Sequence, residues 1–61
     1  MNRILVGDEY DKVRLLLSLA IPYETEHDQS RYRDRFKRGD VHYDVIYEGY
    51  GDPTIEEQTT H

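Results

Sequence analysis

One stretch of this sequence holds most of its positive charge, and its spacing is suited to binding phosphate groups. The basic residues of this stretch are Arg31, Arg33, Arg35, Lys37 and Arg38. Tyr32 and Phe36 lie between them, and proteins that bind single-stranded nucleic acid combine cationic and aromatic side chains in this way. In a strand, however, alternation sends the aromatic rings to the face opposite the arginines. Nucleic-acid binding by residues 31–38 is therefore the alternative function, behind protein binding.

The acidic residues of the chain disfavour nucleic-acid binding, and some of them can form ion pairs with the basic stretch. The 61 residues include 13 acidic and 8 basic side chains, a net charge of −5, which disfavours a general nucleic-acid binder. The strand pairing predicted below places four carboxylates beside the basic residues, those of Glu24, Glu26, Asp44 and Glu48. We therefore interpret residues 31–38 first as a charge ladder compensated within the sheet, which fixes strand register more than it adds stability.

Histidines, hydroxyls and carboxylates are present, but their arrangement does not predict catalysis. His27 and His42 fall on opposite faces of the predicted sheet and His61 lies in a predicted tail, so the three do not form a metal site. The absence of cysteine excludes disulfides, thiolate zinc sites and thiol catalysis. No Ser-His-Asp or phosphate-loop arrangement is present, and so small a domain has little room for an enclosed pocket. We expect no metal, no cofactor and no enzymatic activity.

The tyrosines are a second candidate source of binding, since the chain contains six tyrosines and no tryptophan. Tyr10, Tyr47 and Tyr50 lie near the ends of predicted elements, where half-exposed tyrosine is common in protein–protein contacts. The alternative is that these tyrosines form the rim of a small core. Tyr47 and Tyr50, together with the five basic residues above, make up the candidate interaction surface.

A β-hairpin is the element that must position the basic stretch. Residues 31–37 and 41–48 both alternate charged with aromatic or β-branched side chains, and they flank Gly39-Asp40. A two-residue turn there sets Phe36 opposite Tyr43 and Arg35 opposite Asp44, so that rings meet rings and charges meet opposite charges. A second turn at Asp28-Gln29 pairs Glu26 with Arg31 and Glu24 with Arg33, again on the charged face.

The N-terminal part predicts a strand and a helix. The run from Arg3 to Val6 is apolar and β-branched and indicates a buried strand that ends at Gly7. Asp8 is a candidate N-cap, and Pro22 ends the helix that follows. Helical spacing relates Tyr10, Val13, Leu16, Leu17 and Ala20, while Leu15 and Leu19 are expected to widen the apolar face that lies on the sheet.

These elements predict a small α+β domain of order β-α-β-β-β over residues 1–50, with one helix packed on the sheet. The helix-covered face carries Tyr23, Tyr32, Phe36, Val41, Tyr43, Val45 and Tyr47. Asp34 shares this face and therefore requires an edge position or a tyrosine hydroxyl as partner. Gly49 to Pro53 breaks the sheet, and Ile55 is the one apolar residue after it, so we expect residues 51–61 to be a flexible tail.

The sequence Lys12-Val13-Arg14-Leu15-Leu16-Leu17 followed by Ile21-Pro22-Tyr23-Glu24 resembles the first helix and second strand of the glutathione transferase N-terminal domain, a thioredoxin-like fold. The resemblance covers about residues 3–26. It implies a truncated β-α-β-α-β-β alternative, in which residues 30–38 form a second helix. It also implies a thiol-activating residue near the helix start, where only Tyr10 lies, and a cis-proline that this chain lacks between Pro22 and Pro53. No glutathione site is carried over.

The absence of catalytic chemistry, the small size and the negative charge predict a non-catalytic protein-binding module, such as a small inhibitor or accessory protein. Its acidic surface, its tyrosines or an open sheet edge would contact the protein partner, and an exposed edge strand would also permit a homodimer. No signal peptide or membrane span is visible, so we expect a cytoplasmic protein with no membrane partner. The size and charged composition suit a phage-encoded or other mobile-element protein acting in the host cytoplasm.

Overall fold

The computed structural model describes residues 2–59, which form one helix and a five-stranded antiparallel sheet. The elements are β1 (Asn2–Ile4), α1 (Gly7–Ser18), β2 (Glu24–Asp28), β3 (Arg31–Arg38), β4 (Val41–Glu48) and β5 (Thr54–Thr59). The strands lie in the order β1-β5-β4-β3-β2. The helix and sheet together form a small α+β architecture, and α1 is too short to cross a membrane.

The hairpin of β3 and β4 has the register that the sequence predicts. Phe36 lies opposite Tyr43 and Arg35 lies opposite Asp44, with Gly39 and Asp40 in the turn. Gly39 has a positive φ of 61°, a conformation that other residues adopt only with strain. Because residues 31–38 are one continuous strand, the thioredoxin-like alternative, which requires a helix there, is wrong.

The turn between β2 and β3 is displaced from its predicted position. Asp28 lies opposite Arg31, so that Gln29 and Ser30 form the turn, and Gln29 has a φ of 34°. Glu26 is therefore opposite Arg33, and not Arg31, which corrects the predicted pairing by two residues. A shift of two residues keeps each side chain on its face and each acid beside a base, so the charge pattern alone does not choose between these registers.

The predicted tail is corrected over Thr54–Thr59, which form β5 in the interior of the sheet. Ile55 lies opposite Val45 and is 0% exposed, and its carbonyl accepts a hydrogen bond of 3.0 Å from the Leu5 amide. β5 is paired with a strand on each side, so one buried apolar residue is enough to anchor it. The predicted order β-α-β-β-β therefore gains a fifth strand. Residues 60 and 61, and with them the predicted position of His61 in the tail, lie outside the described residues.

The helix packs on the core through Tyr10, Val13 and Leu17, as predicted, but its limits and the width of its apolar contact differ from the prediction. Val6 occupies the N-cap position and provides no side-chain cap, while Asp8 lies inside the first turn, where a carboxylate interacts favourably with the helix dipole. The helix ends at Ser18, ahead of Pro22. Its one buried residue is Leu17, so the prediction that additional leucines would widen the contact with the sheet is wrong.

The core lies between α1 and one face of the sheet. It consists of Leu5, Leu17, Phe36, Val45 and Ile55, with Tyr10, Val13 and Tyr43 packed around it. The Tyr10 hydroxyl donates a hydrogen bond to the carbonyl of Pro53, which ties the helix to the loop before β5. The strand predicted to be buried over residues 3–6 is instead an exposed edge strand, β1. The buried residue of that segment, Leu5, follows the strand.

Candidate functional site

The charged face of the sheet, defined here as the face that carries Arg31, Arg33, Arg35 and Asp44, is a connected set of ion pairs. Arg35 donates to Glu24 at 2.9 Å and to Asp44 at 3.3 Å, and Arg33 pairs with Glu26 and lies 3.7 Å from Asp44. Asp44 is only 4% exposed, because these two arginines extend across it. The hydrogen bond from Arg33 holds the pKa of Glu26 below its usual range.

The candidate interaction residues of the basic stretch divide into two groups, those with a carboxylate partner and those without. Arg31 lies 3.7 Å from Glu48, so that it, Arg33 and Arg35 all have carboxylate partners. Lys37 and Arg38, at the end of β3, make no salt bridge with any of residues 2–59. Unneutralised positive charge is thus confined to one end of the strand.

Tyr23 lies on the charged face, and the prediction that the helix covers it is wrong. Its ring centroid is 5.9 Å from Cζ of Arg35 and 6.2 Å from the ring of His42. Tyr23 precedes β2 at a bend, so the alternation of the strand does not determine the direction of its side chain. Its ring therefore adds a cation–π contact to the ion pairs.

The histidines lie as predicted on opposite faces of the sheet. His27 contacts Tyr32 with the ring centroids 5.8 Å apart, whereas His42 contacts Tyr23 on the charged face. Within residues 2–59, no three histidine, aspartate or glutamate side chains are arranged to hold a metal ion.

The two candidate tyrosines are separated from each other and from the basic residues. Tyr47 lies on the side of the sheet that α1 partly covers, where its ring meets that of Tyr32 edge to face at 5.7 Å. Tyr50 lies in the loop after β4 and is fully exposed. The predicted interaction surface is therefore split between two faces and a loop.

The sequence reasoning missed an apolar surface at the C-terminal end of α1, here called the helix-end patch and made up of Leu15, Leu16, Leu19 and Ile21. Leu15, Leu19 and Ile21 are 68%, 84% and 92% exposed. A cavity of about 360 Å³ adjoins the patch, and Lys37 and Arg38 form its rim. The run Leu15-Leu16-Leu17 was the available signal, because three successive residues cannot all face the sheet from one helix.

A second depression, here called the Asp34 groove, lies between the other side of the helix end and strands β3 and β4. It has a volume of about 340 Å³, and its lining includes Arg14, Asp34, Phe36 and Tyr47. Asp34 is half-buried and accepts a hydrogen bond of 3.0 Å from the Thr25 hydroxyl, which corrects the predicted tyrosine partner. Burial, and then the charge of Asp34, raise the pKa of Tyr47.

No protein-family model matches this sequence, and neither the curated proteins nor the solved structures contain a match.

Proposed function

We propose that this protein is a non-catalytic protein-binding module, a small inhibitor or accessory protein, which binds its partner through the helix-end patch. The observation that carries the proposal is the exposure of Leu19 and Ile21, which are 84% and 92% accessible to solvent beside the half-exposed Leu16. Single exposed apolar residues are ordinary on protein surfaces, whereas contiguous groups of them mark interaction sites.

Burial of the helix-end patch by a partner would be favourable in free energy. Complete burial of one leucine or isoleucine side chain contributes about 1.5–3 kcal/mol. Leu15, Leu19 and Ile21 contribute little of this within the monomer, since each is more than two-thirds exposed. A partner that covers them would gain most of that free energy.

The charges around the patch indicate the chemistry of the partner. Lys37 and Arg38 line the cavity beside Leu19 and Ile21, and neither has a salt bridge among residues 2–59. They would attract carboxylates, whereas the net charge of −5 on each chain opposes a second copy. The occupant that we propose is therefore an amphipathic helical segment of another protein, with acidic residues beside its apolar face.

The other partners considered from sequence receive less support. Nucleic-acid binding by residues 31–38 would require the breaking of ion pairs that Arg31, Arg33 and Arg35 already make. Homodimerisation through a sheet edge would use β1 or β2, whose side chains are polar or charged except for Ile4, so a second copy would bury little apolar surface there.

The test compares Ile21→Asp with Tyr50→Asp, a matched control because Tyr50 is an equally exposed apolar residue outside the patch. A photo-crosslinking residue at position 21 or 50 of the full chain identifies the proteins that contact each position in cells. The purified protein captured from position 21 is then titrated with both variants. We expect Ile21→Asp to weaken binding at least about tenfold, or 1.4 kcal/mol, and Tyr50→Asp to leave it unchanged.

Three results would overturn the proposal. One is the absence of a crosslinked protein that is specific to position 21, and another is equal affinity of the two variants for the captured protein. The third is a concentration-dependent dimer in sedimentation that Ile21→Asp dissociates, because the patch would then be occupied by a second copy.

A further inference from the structure

The Asp34 groove contains a carboxylate that differs in its surroundings from those of the charged face. Glu24, Glu26 and Asp44 are each paired with an arginine. Among residues 2–59, Asp34 makes no salt bridge, and the one hydrogen bond that its carboxylate accepts comes from Thr25. A half-buried carboxylate with one neutral donor retains the capacity to accept two further charge-assisted hydrogen bonds.

The walls of the groove suit a flat cation. Phe36, Val45 and Pro53 supply apolar surface, and the ring of Tyr47 lies beside the carboxylate-bearing strand. Tyrosine rings attract guanidinium and ammonium groups, and this attraction strengthens where the cation loses water. The edge-to-face contact with Tyr32 holds the Tyr47 ring in place, so a ligand would meet an ordered aromatic wall.

The basic residue of the groove is already engaged. Arg14 lines the same depression, but its guanidinium donates to Asp52 at 2.9 Å, on the loop before β5. This pair offsets the positive charge of Arg14 and leaves Asp34 to an external cation. The net charge of −5 also favours the approach of a positively charged group.

We propose that the Asp34 groove binds a guanidinium group, such as an arginine side chain, with Asp34 as its carboxylate partner and Tyr47 as its aromatic wall. The bidentate geometry of a guanidinium matches a carboxylate with two free acceptor positions better than an ammonium does. This site is separate from the proposed protein-binding surface, because neither Leu19 nor Ile21 lines the groove.

The probe for the test is N-acetyl-arginine amide, with N-acetyl-citrulline amide as its neutral, nearly isosteric control. Titration of the isotopically labelled full chain, followed by NMR, should give saturable shifts at the amides of Asp34 and Tyr47, with a Kd on the order of millimolar. The citrulline probe should bind at least about fivefold more weakly, because it lacks the positive charge.

Two variants locate the interaction. Asp34→Asn should abolish the saturable shifts, while Asp28→Asn, which alters a carboxylate on the charged face, should retain them. Tyr47→Leu keeps the carboxylate and should weaken binding by about threefold or more. It also serves as the second variant if Asp34→Asn loses its folded spectrum.

The proposal is overturned if the two probes cause equal shifts, or if the shifts persist in folded Asp34→Asn. It is also overturned if inorganic phosphate, and not arginine, perturbs these amides, since the groove would then be an anion site at Arg14. Ile21→Asp should bind the arginine probe normally, so that failure of this proposal and failure of the proposed function are distinguishable.

Discussion

The two faces of the sheet are covered by different groups: charged side chains cover one face, and helix α1 covers part of the other. On the charged face, Arg33 and Arg35 extend over Asp44 and bury it without a helix above them. On the other side, α1 buries Leu17 but leaves Leu19 and Ile21 in solvent. Long charged side chains can cover a sheet with their own methylene groups while their ends pair with carboxylates.

The basic stretch and the helix end differ in how far the fold satisfies their side chains. The basic stretch is the most conspicuous feature of the sequence, yet most of its charge is used inside the sheet. The helix end is inconspicuous in sequence, yet Leu15, Leu19 and Ile21 remain mostly exposed there. Composition identifies which groups are unusual, whereas binding depends on which groups the fold leaves unsatisfied.

The largest difference between two variants is expected between alanine substitution of a core residue and of a helix-end patch residue. Ile55→Ala removes a fully buried side chain from β5 and should cost about 2–5 kcal/mol, which is enough to unfold much of so small a domain. Leu19→Ala should change the free energy of unfolding by less than about 0.5 kcal/mol, since Leu19 is 84% exposed. Urea denaturation measures both, and a comparable loss in the two variants would mean that the helix end belongs to the core.

A second substitution removes the carboxylate at the centre of the charged face. Asp44→Asn removes the charge that Arg33 and Arg35 share, and we expect a loss of about 1–3 kcal/mol because the group is buried. Glu48→Gln is the control, and its exposed pair with Arg31 should contribute less than about 0.5 kcal/mol. Equal effects in urea denaturation would show that the central carboxylate has no special role.

The sequence was sufficient to predict the hairpin of β3 and β4 because two independent patterns select the same register. Phe36 faces Tyr43 while Arg35 faces Asp44, and no neighbouring register satisfies both pairs. The turn before β3 could not be located in this way, because a shift of two residues preserves both the faces and the opposite charges.

Other features depend on contacts between distant parts of the chain. β5 has a single buried apolar residue, Ile55, and its strand character comes from pairing with β1 and β4. The exposure of Leu19 depends on where the helix lies over the sheet, which helical periodicity alone does not determine. The Asp34 groove likewise forms only after α1 is placed beside β3 and β4.

At the edge of the charged face, the ion pair of Glu26 and Arg33 makes stability depend on pH. The hydrogen bond from Arg33 lowers the pKa of Glu26 in the folded protein, so the pair contributes its full stabilisation above the unfolded pKa of about 4.3. That contribution is lost as the pH falls through the lower, folded pKa. Glu26→Gln should therefore show a smaller fall in urea midpoint between pH 6 and pH 3 than the unmodified protein. An unchanged pH profile would contradict this assignment.

The last prediction tests nucleic-acid binding by the basic stretch of residues 31–38. Because Arg33 is paired with Glu26 and lies near Asp44, little free positive charge is available for phosphate, and we expect no measurable binding of single-stranded DNA or RNA at low salt. Arg33→Glu should likewise leave this signal at background in a fluorescence anisotropy titration. Binding that weakens steeply with salt and disappears in Arg33→Glu would show that the ion pairs open for nucleic acid. The charged face would then be a binding site, like the proposed one at the helix end, and the two regions would not differ in their capacity to bind.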